Sequence, residues 1–378
     1  MLTKDAFLTL VRLGIETDDV STVNTKSFRE LTQKDWDRIF EMADKQGVSA
    51  IVMDGLSLLV DKYGKNGIAP NIDNGWWQMY VLEGTGVMLQ TEQSNSQQLI
   101  VMENLASKWA VKGCRVMVFK GQASATMYPK PEHRSPGDID CCLFENYAKG
   151  NEVARQVGAE VNEGWYKHSQ IFYQGETFEN HQYFVHTRDG KRGKRLQKEL
   201  AEELKIENGK WIIGNSSPIE KLTGSTILPP VQWVAMFLTY HALAHFVSEG
   251  LRLKQLLDWA MLLEKHQDDV EWKRFYEFCE RCHLKRFADA ATAICVKYLG
   301  VKVLNPDVTT DSPYADKVLD SALYDDDYVF GSGEGSWHNR WHLVKNLFRY
   351  RWKYEDIYEE SVWRQLWFYA SGYLFHTE

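Results

Sequence analysis

The apolar residues of this chain keep a helical period over most of its length and abandon it once, near the middle. Over residues 5–62 they recur at helical spacing, as in SFRELTQKDWDRIFEMADKQGVSAIVMDGLSLLV, which predicts helices with Ser27 and Thr32 as N-caps. The Gly-, Pro- and Asn-bearing stretch KYGKNGIAPNIDNG predicts a loop, and residues 76–110 a long helix with Gln, Glu and Ser on its wet face. The period then changes. Arg115 to Phe119 is a short β-type run ended by Lys120-Gly121, Gln122 to Met127 can form a short helix, and Ile139 to Phe144 is a second apolar run. A helix is expected from Tyr147 to Val157. Strands are expected at 168–173 and 177–185, joined by the turn signal Gln174-Gly175-Glu176. Residues 188–205 are highly charged and predict an exposed loop leading into a helix.

After Leu228-Pro229-Pro230 the helical period returns and holds to the end. A break at YDDDYVFGSGEGS precedes an aromatic tail with Trp337, Trp341, Trp352, Trp363 and Trp367, read as a helix core rather than a stacking surface. No internal repeat is present. The pattern predicts an α+β protein, a small α/β unit with a mixed sheet set between two helical regions. The expected parts are an N-terminal helical region (1–110), the α/β core (111–215) and a C-terminal helical domain (216–378).

Composition narrows this reading. The 378 residues are 44% hydrophobic, which excludes a disordered chain, and the net charge of −8 argues against coating nucleic acid by bulk charge. The first residues lack the basic start and cleavage site of a signal peptide, and no apolar run is long enough to span a bilayer. Six cysteines without a secreted framework predict reduced thiols and a cytoplasmic location. Cys279-Glu-Arg-Cys282-His283 has the spacing of haem attachment. The segment around it reads instead as an amphipathic helix burying a cysteine beside Phe275 and Phe278.

The chemistry concentrates in FKGQASATMYPKPEHRSPGDID. On a strand, Asp138 and Asp140 project from one face while Ile139 enters the core. Two carboxylates so close repel, and a divalent cation between them removes the repulsion. Mg²⁺ (or Mn²⁺) suits such oxygen ligands and completes its shell with water and phosphates. Gly121, at a strand-to-helix junction, lets a phosphate approach the backbone; Ser124 offers a hydroxyl, and Lys120 and Arg134 offer positive charge. Glu179 would be the third carboxylate on the hairpin, with His181 on the same face as a proton shuttle or phosphate ligand. Arg134 has an alternative role as a salt-bridge partner of Asp138. His168 and His181 are expected to support the site rather than react.

K-G-x-A-x-x-x-x-Y, then P-x-x-R-x-x-x-D-I-D, then a strand with E-N-H resembles an uncharacterised nucleotidyltransferase family of the DNA-polymerase-β-like superfamily. Lys120, Gly121, Tyr128, Arg134, Asp138, Asp140, Glu179 and His181 occupy matching positions, and His168 resembles another; Cys141-Cys142 departs from the usual aliphatic pair. The resemblance implies that an acceptor hydroxyl, on a small molecule or a protein, attacks the α-phosphate of an NTP and releases pyrophosphate. It implies that Asp138 and Asp140 hold two Mg²⁺ ions, and that Glu179 completes the nucleophile-side ion or takes the proton. A catalytically silent, nucleotide- or partner-binding member is the alternative.

His241 and His245 stand at zinc-pair spacing, as do His338 and His342, yet no glutamate follows His241 and packing or pocket lining is the better reading. Arg252 and Asp258 either join helices or line the cleft. The basic run 191–195 is read as a solvated loop, with RNA binding the lesser reading.

Overall fold

A computed structural model describes residues 2–186, 190–204, 222–325 and 344–367. The first helices are α1 (Leu2–Gly14), a single turn α2 (Lys26–Arg29), α3 (Gln33–Gln46) and α4 (Ser49–Ile68). Thr32 closes a capping box with Asp35 at the start of α3. Ser27 caps nothing: it lies inside α2, and its hydroxyl donates to the Asn24 carbonyl. The stretch expected to be a loop after residue 62 is helical as far as Ile68, with a kink at Gly64 (φ 66°). Apolar contacts of Ile68 in the core outweigh the breaker residues there. Asp73 then caps the 38-residue α5 (Asn74–Val111) by accepting from the Trp76 amide.

The chain now enters the sheet: β1 (Val116–Val118), α6 (Gln122–Ala125), β2 (Ile139–Cys142), α7 (Tyr147–Gln156), β3 (Glu160–Asn162), β4 (His168–Tyr173) and β5 (Glu176–His181). Beyond α8 (Lys191–Glu203), β6 (Thr226–Ile227) completes six strands in the order β3-β4-β5-β2-β1-β6. The sheet is mixed: β2 runs parallel to β5 and β1 to β6, while β1/β2, β3/β4 and β4/β5 are antiparallel. Gln174 (φ 50°) and Gly175 (φ 88°) form the two-residue turn between β4 and β5, the left-handed pair that a tight hairpin requires.

One face of the sheet (Val116, Val118, Ile139, Cys141, Phe178) packs on Val101, Leu105 and Trp109 of α5 and on Val153 and Ala154 of α7. The other face turns toward the C-terminal helices α9 (Val231–Ser248) and α10 (Leu253–His266). There Met117 and Phe119 join a core that extends to Trp233 and Phe237 of α9. Behind these stand α11 (Trp272–Arg281), α12 (Lys285–Leu299) and α13 (Ala315–Tyr324). The protein is thus α+β, its mixed sheet flanked by helical regions before and after. No described helix is long and apolar enough to cross a membrane.

Several expectations are corrected. β5 stops at His181, short of residue 185, because the Gln182 and Tyr183 amides turn to the Lys167 carbonyl. The three-residue β3 has too little alternation to be seen in sequence. The basic run opens α8 rather than a loop. Arg192 is buried there, stacked 3.7 Å over the Tyr358 ring and donating to the carbonyls of Tyr358 and His283. Arg195 donates to the Arg281 carbonyl. Around Cys279 the expected amphipathic helix is found, with Cys279 buried beside Phe275 and Phe278, and Cys282 is buried just beyond it. Trp352 packs against Phe246, but Trp363 and Trp367 are exposed; Trp337, Trp341, His338, His342 and most of the second break lie outside the described residues.

Candidate active site

Strand pairing assembles the site. In the β2/β5 register Asp140 lies directly beside Glu179, and in β4/β5 His168 lies directly opposite His181. Residues opposite each other in a sheet share a face, so these four side chains emerge together. Phe178 and Asn180, between them in sequence, point into the core beneath, where Asn180 hydrogen-bonds Tyr147 O and Asn151. Asp138, one residue before β2, opens onto the cleft.

Asp140 is 2% exposed. Lys120 Nζ donates to its Oδ1 at 2.9 Å, and His181 Nε2 lies 3.0 Å from the same oxygen and 3.1 Å from Glu179 Oε2. Burial alone would raise the Asp140 carboxyl; the Lys120 ammonium and His181 more than offset it and hold it well below the usual carboxylate range. Glu179 is also lowered: burial opposes, and the His181 hydrogen bond outweighs it. Asp138 goes the other way, pushed up by burial and then by the charges of Glu179 and Asp140. Around Asp138 the charges of Glu179 and Asp140 oppose its ionisation, while those of Lys120 and Lys254 favour it.

The donor set fits a cation. Nδ1 of His181 meets the Tyr183 carbonyl at 3.1 Å and donates to it, which turns Nε2 toward the two carboxylates. A lone pair facing two anions is unfavourable unless a proton or a metal ion sits between them.

The carboxylates stand where two cavities meet. A smaller cavity of about 300 Å³ is lined by Gly121, Arg134, Gly137, Arg252, Lys254 and Asp258. A larger one of about 660 Å³ is walled by Trp165, Tyr166, Lys167, His168, Tyr240 and Phe184. Both share Lys120, Asp138, Asp140 and Glu179 with the helix α9 residues His241 and His245. Beyond the acids the two share, Glu249 included, the smaller lobe adds Arg134, Arg252 and Lys254 against the single acid Asp258, and the larger adds mostly aromatic side chains.

Gly121 (φ 58°) adopts a conformation only glycine takes easily, and a Cβ there would come within 3.4 Å of the Asp138 carbonyl. Arg134 does not pair with Asp138. Its guanidinium grips Asp258 of α10 at 2.8 Å through Nε and at 2.8 Å through Nη2, and the Tyr128 hydroxyl donates to the same carboxylate. Ser124 is not brought to the acids: it is buried on the wall of a separate small cavity with Phe119, Met127 and Leu228. The cleft thereby gathers residues that spacing left unassigned or missed. Arg252 and Lys254 come from the start of α10, and Lys167 and Trp165 from the approach to β4. Burial and then the Arg134 charge bring Lys254 down to about 8. His241 and His245, as expected, line the pocket; burial and the Lys120 charge keep His241 well below its ordinary value. Their sole sequence signal was two histidines on one helical face.

Asp140 and Glu179 stand on the two central strands of the mixed sheet and face a cleft that also holds lysine and arginine, an arrangement suited to binding phosphate together with a divalent ion. Sequence comparison makes this specific: residues 32–300 match the family described as uncharacterised nucleotidyltransferase, and the chain belongs to that family. Membership implies an NTP donor and transfer of its NMP part in general terms. No curated protein and no solved structure matches the chain.

Proposed function

We propose that this protein moves an NMP from an NTP to an acceptor hydroxyl, on a small molecule or a protein, releasing pyrophosphate with the help of Mg²⁺ or Mn²⁺. The observation that carries it is the side-by-side placement of Asp140 and Glu179, with Asp138 beside them, at the junction of two lobes, one adding arginine and lysine and the other aromatic side chains.

The triphosphate suits the smaller lobe. Gly121 leaves room for a phosphate against the backbone, and Lys120, Arg252 and Lys254 surround the space with donors. Arg134 serves at one remove, holding Asp258 and with it the start of α10. The acceptor suits the larger lobe, where Trp165, Tyr166 and Tyr240 offer flat surfaces. Its hydroxyl oxygen then bonds to the α-phosphorus as the bond to the pyrophosphate oxygen breaks. Asp138, Asp140 and Glu179 would hold the divalent ions, which supply charge neutralisation and a more acidic acceptor hydroxyl. Glu179 either completes that ligand set or receives the acceptor's proton. Lys120, freed from Asp140, offsets charge on the leaving phosphates.

One observation favours a second reading, nucleotide binding without transfer: the Lys120 ammonium already pairs with Asp140 at 2.9 Å. Labelled nucleotides separate the two. With cell extract as acceptor source, label from the α-phosphate is expected on an acceptor and label from the γ-phosphate in pyrophosphate. Asp138→Ala is the informative variant, because the side chain opens onto the cleft outside the apolar core and is removable without emptying that core, and transfer should fall roughly 100-fold or more. Nucleotide binding with no transfer of either label points to the silent reading; transfer of the γ-label instead excludes nucleotidyl transfer.

A further inference from the structure

On the floor of the larger lobe, His168, Glu179 and His181 offer ligand atoms that all lie within 4.8 Å of one another. Glu179 Oε2 is 3.1 Å from His181 Nε2, and Glu179 Oε1 is 3.4 Å from His168 Nε2. Ligands bound to one ion at about 2.0–2.1 Å stand about 3–3.5 Å apart, so these atoms need little movement to close on a metal. The second observation is independent of the acids. His168 is 8% exposed, yet neither of its ring nitrogens has a hydrogen-bond partner among the described residues. Its approach to Glu179 lacks hydrogen-bond geometry. A buried imidazole without partners costs stability unless something binds it.

The surroundings support one ligand in particular. The Trp165 ring lies nearly parallel to His168 (centroids 6.1 Å, 19°) and shields it. The Tyr183 carbonyl orients His181, the outer hydrogen bond that metal-binding histidines commonly make. Asp140 Oδ1, 3.0 Å from His181 Nε2, links this trio to the paired aspartates.

We infer that His168, Glu179 and His181 form a nitrogen-rich site for a divalent transition ion such as Mn²⁺ or Zn²⁺, distinct in ligand chemistry from a carboxylate-only Mg²⁺ site. Two imidazoles and a carboxylate favour such ions, whereas Mg²⁺ favours oxygen ligands alone. The site lies on the acceptor side, since His168 and His181 line the larger lobe and not the smaller. This deepens the transferase reading and rests on it only for the ion's purpose.

The test uses the full chain, stripped of metal, with no nucleotide present. Titration with Mn²⁺, Zn²⁺ or Mg²⁺ alone is expected to show, beside any binding at the paired aspartates, a site that prefers Mn²⁺ or Zn²⁺ over Mg²⁺ by about tenfold or more. Pulsed EPR of the Mn²⁺ protein is expected to show directly bound imidazole nitrogen. His168→Ala should weaken Mn²⁺ binding by more than roughly 100-fold, beyond the cost of losing an outer-shell partner. His168→Gln, which keeps the bulk, serves if the alanine variant does not fold, and the nitrogen signal needs no variant. Equal affinity for Mg²⁺, no bound nitrogen, or unchanged binding in a folded His168 variant would each overturn the site. None of these outcomes depends on transfer. Failure here leaves a carboxylate-based transferase standing, and a failed transfer assay leaves the ion site standing.

Discussion

Arg134 and Asp258 show what a single pair does in this protein. They are joined by two hydrogen bonds, both side chains are buried, and Tyr128 adds a third bond to the carboxylate. A buried pair contributes little net stability, but breaking it strands a charge, at a cost of about 3–5 kcal/mol. Asp258→Ala should therefore lower the unfolding free energy by about that amount in urea titration, and Arg134→Met with Asp258→Leu should recover most of it. Lys254 sets a pH dependence. Burial and Arg134 bring it to about 8, against the opposing pull of Asp258, with Arg252 and Lys120 as further cationic neighbours. It is charged below pH 8 and neutral above. Affinity for an NTP should hold up to about pH 8 and decline beyond, as measured by calorimetric titration. Lys254→Met should abolish the decline, and Lys254→Arg should keep affinity at pH 9 because guanidinium stays protonated. Asp140, Glu179 and His181, joined by Asp138 from the residue before β2, were legible as a candidate site because a strand's period of two is fixed by its backbone. The partner of Arg134 was not, since 124 residues separate it from Asp258.

At the scale of elements, close approach decides where propensity would mislead. α1 and α4 cross so tightly that a Cβ on Gly55 would stand 2.0 Å from the Leu10 carbonyl oxygen, and one on Gly14 2.0 Å from the Ile51 oxygen. Helix propensity alone favours alanine over glycine by about 1 kcal/mol. A backbone clash that forces two helices apart costs about 1–3 kcal/mol and wins. Gly55→Ala should lower the melting temperature while leaving nucleotide affinity unchanged, since none of the contacting residues lines either lobe of the cleft. The hairpin was readable because Gln174-Gly175 meets the left-handed demand of a tight turn. The start of α8 was misread because charge suggests solvent, whereas Arg192 lays its guanidinium on Tyr358.

For the whole molecule, the sheet's second face belongs to a core shared with both helical regions. One apolar cluster runs from Phe7 and Trp36 through Met117 and Phe119 to Trp233 and Phe275. Divisions near residues 110 and 215 are a proposal about chain organisation, and a core shared across them predicts that the parts do not fold independently. Residues 111–215 made alone should lack a cooperative thermal transition by circular dichroism, because Met117 and Phe119 would lose Trp233 and Phe237. A sharp transition in that fragment would count against a shared core.

By itself, the sequence determined the α+β class, the four strands β1, β2, β4 and β5, the helix around Cys279 and the face from which Asp140 and Glu179 emerge, because these depend on local periodicity, capping and turn chemistry; β3 and β6 were too short to leave such a pattern. Tertiary structure alone decided that Arg134 serves Asp258, that Ser124 turns away, and that Arg252, Lys254, Lys167 and Trp165 enclose the carboxylates. Those outcomes rest on contacts between segments far apart in the chain, which no local pattern encodes.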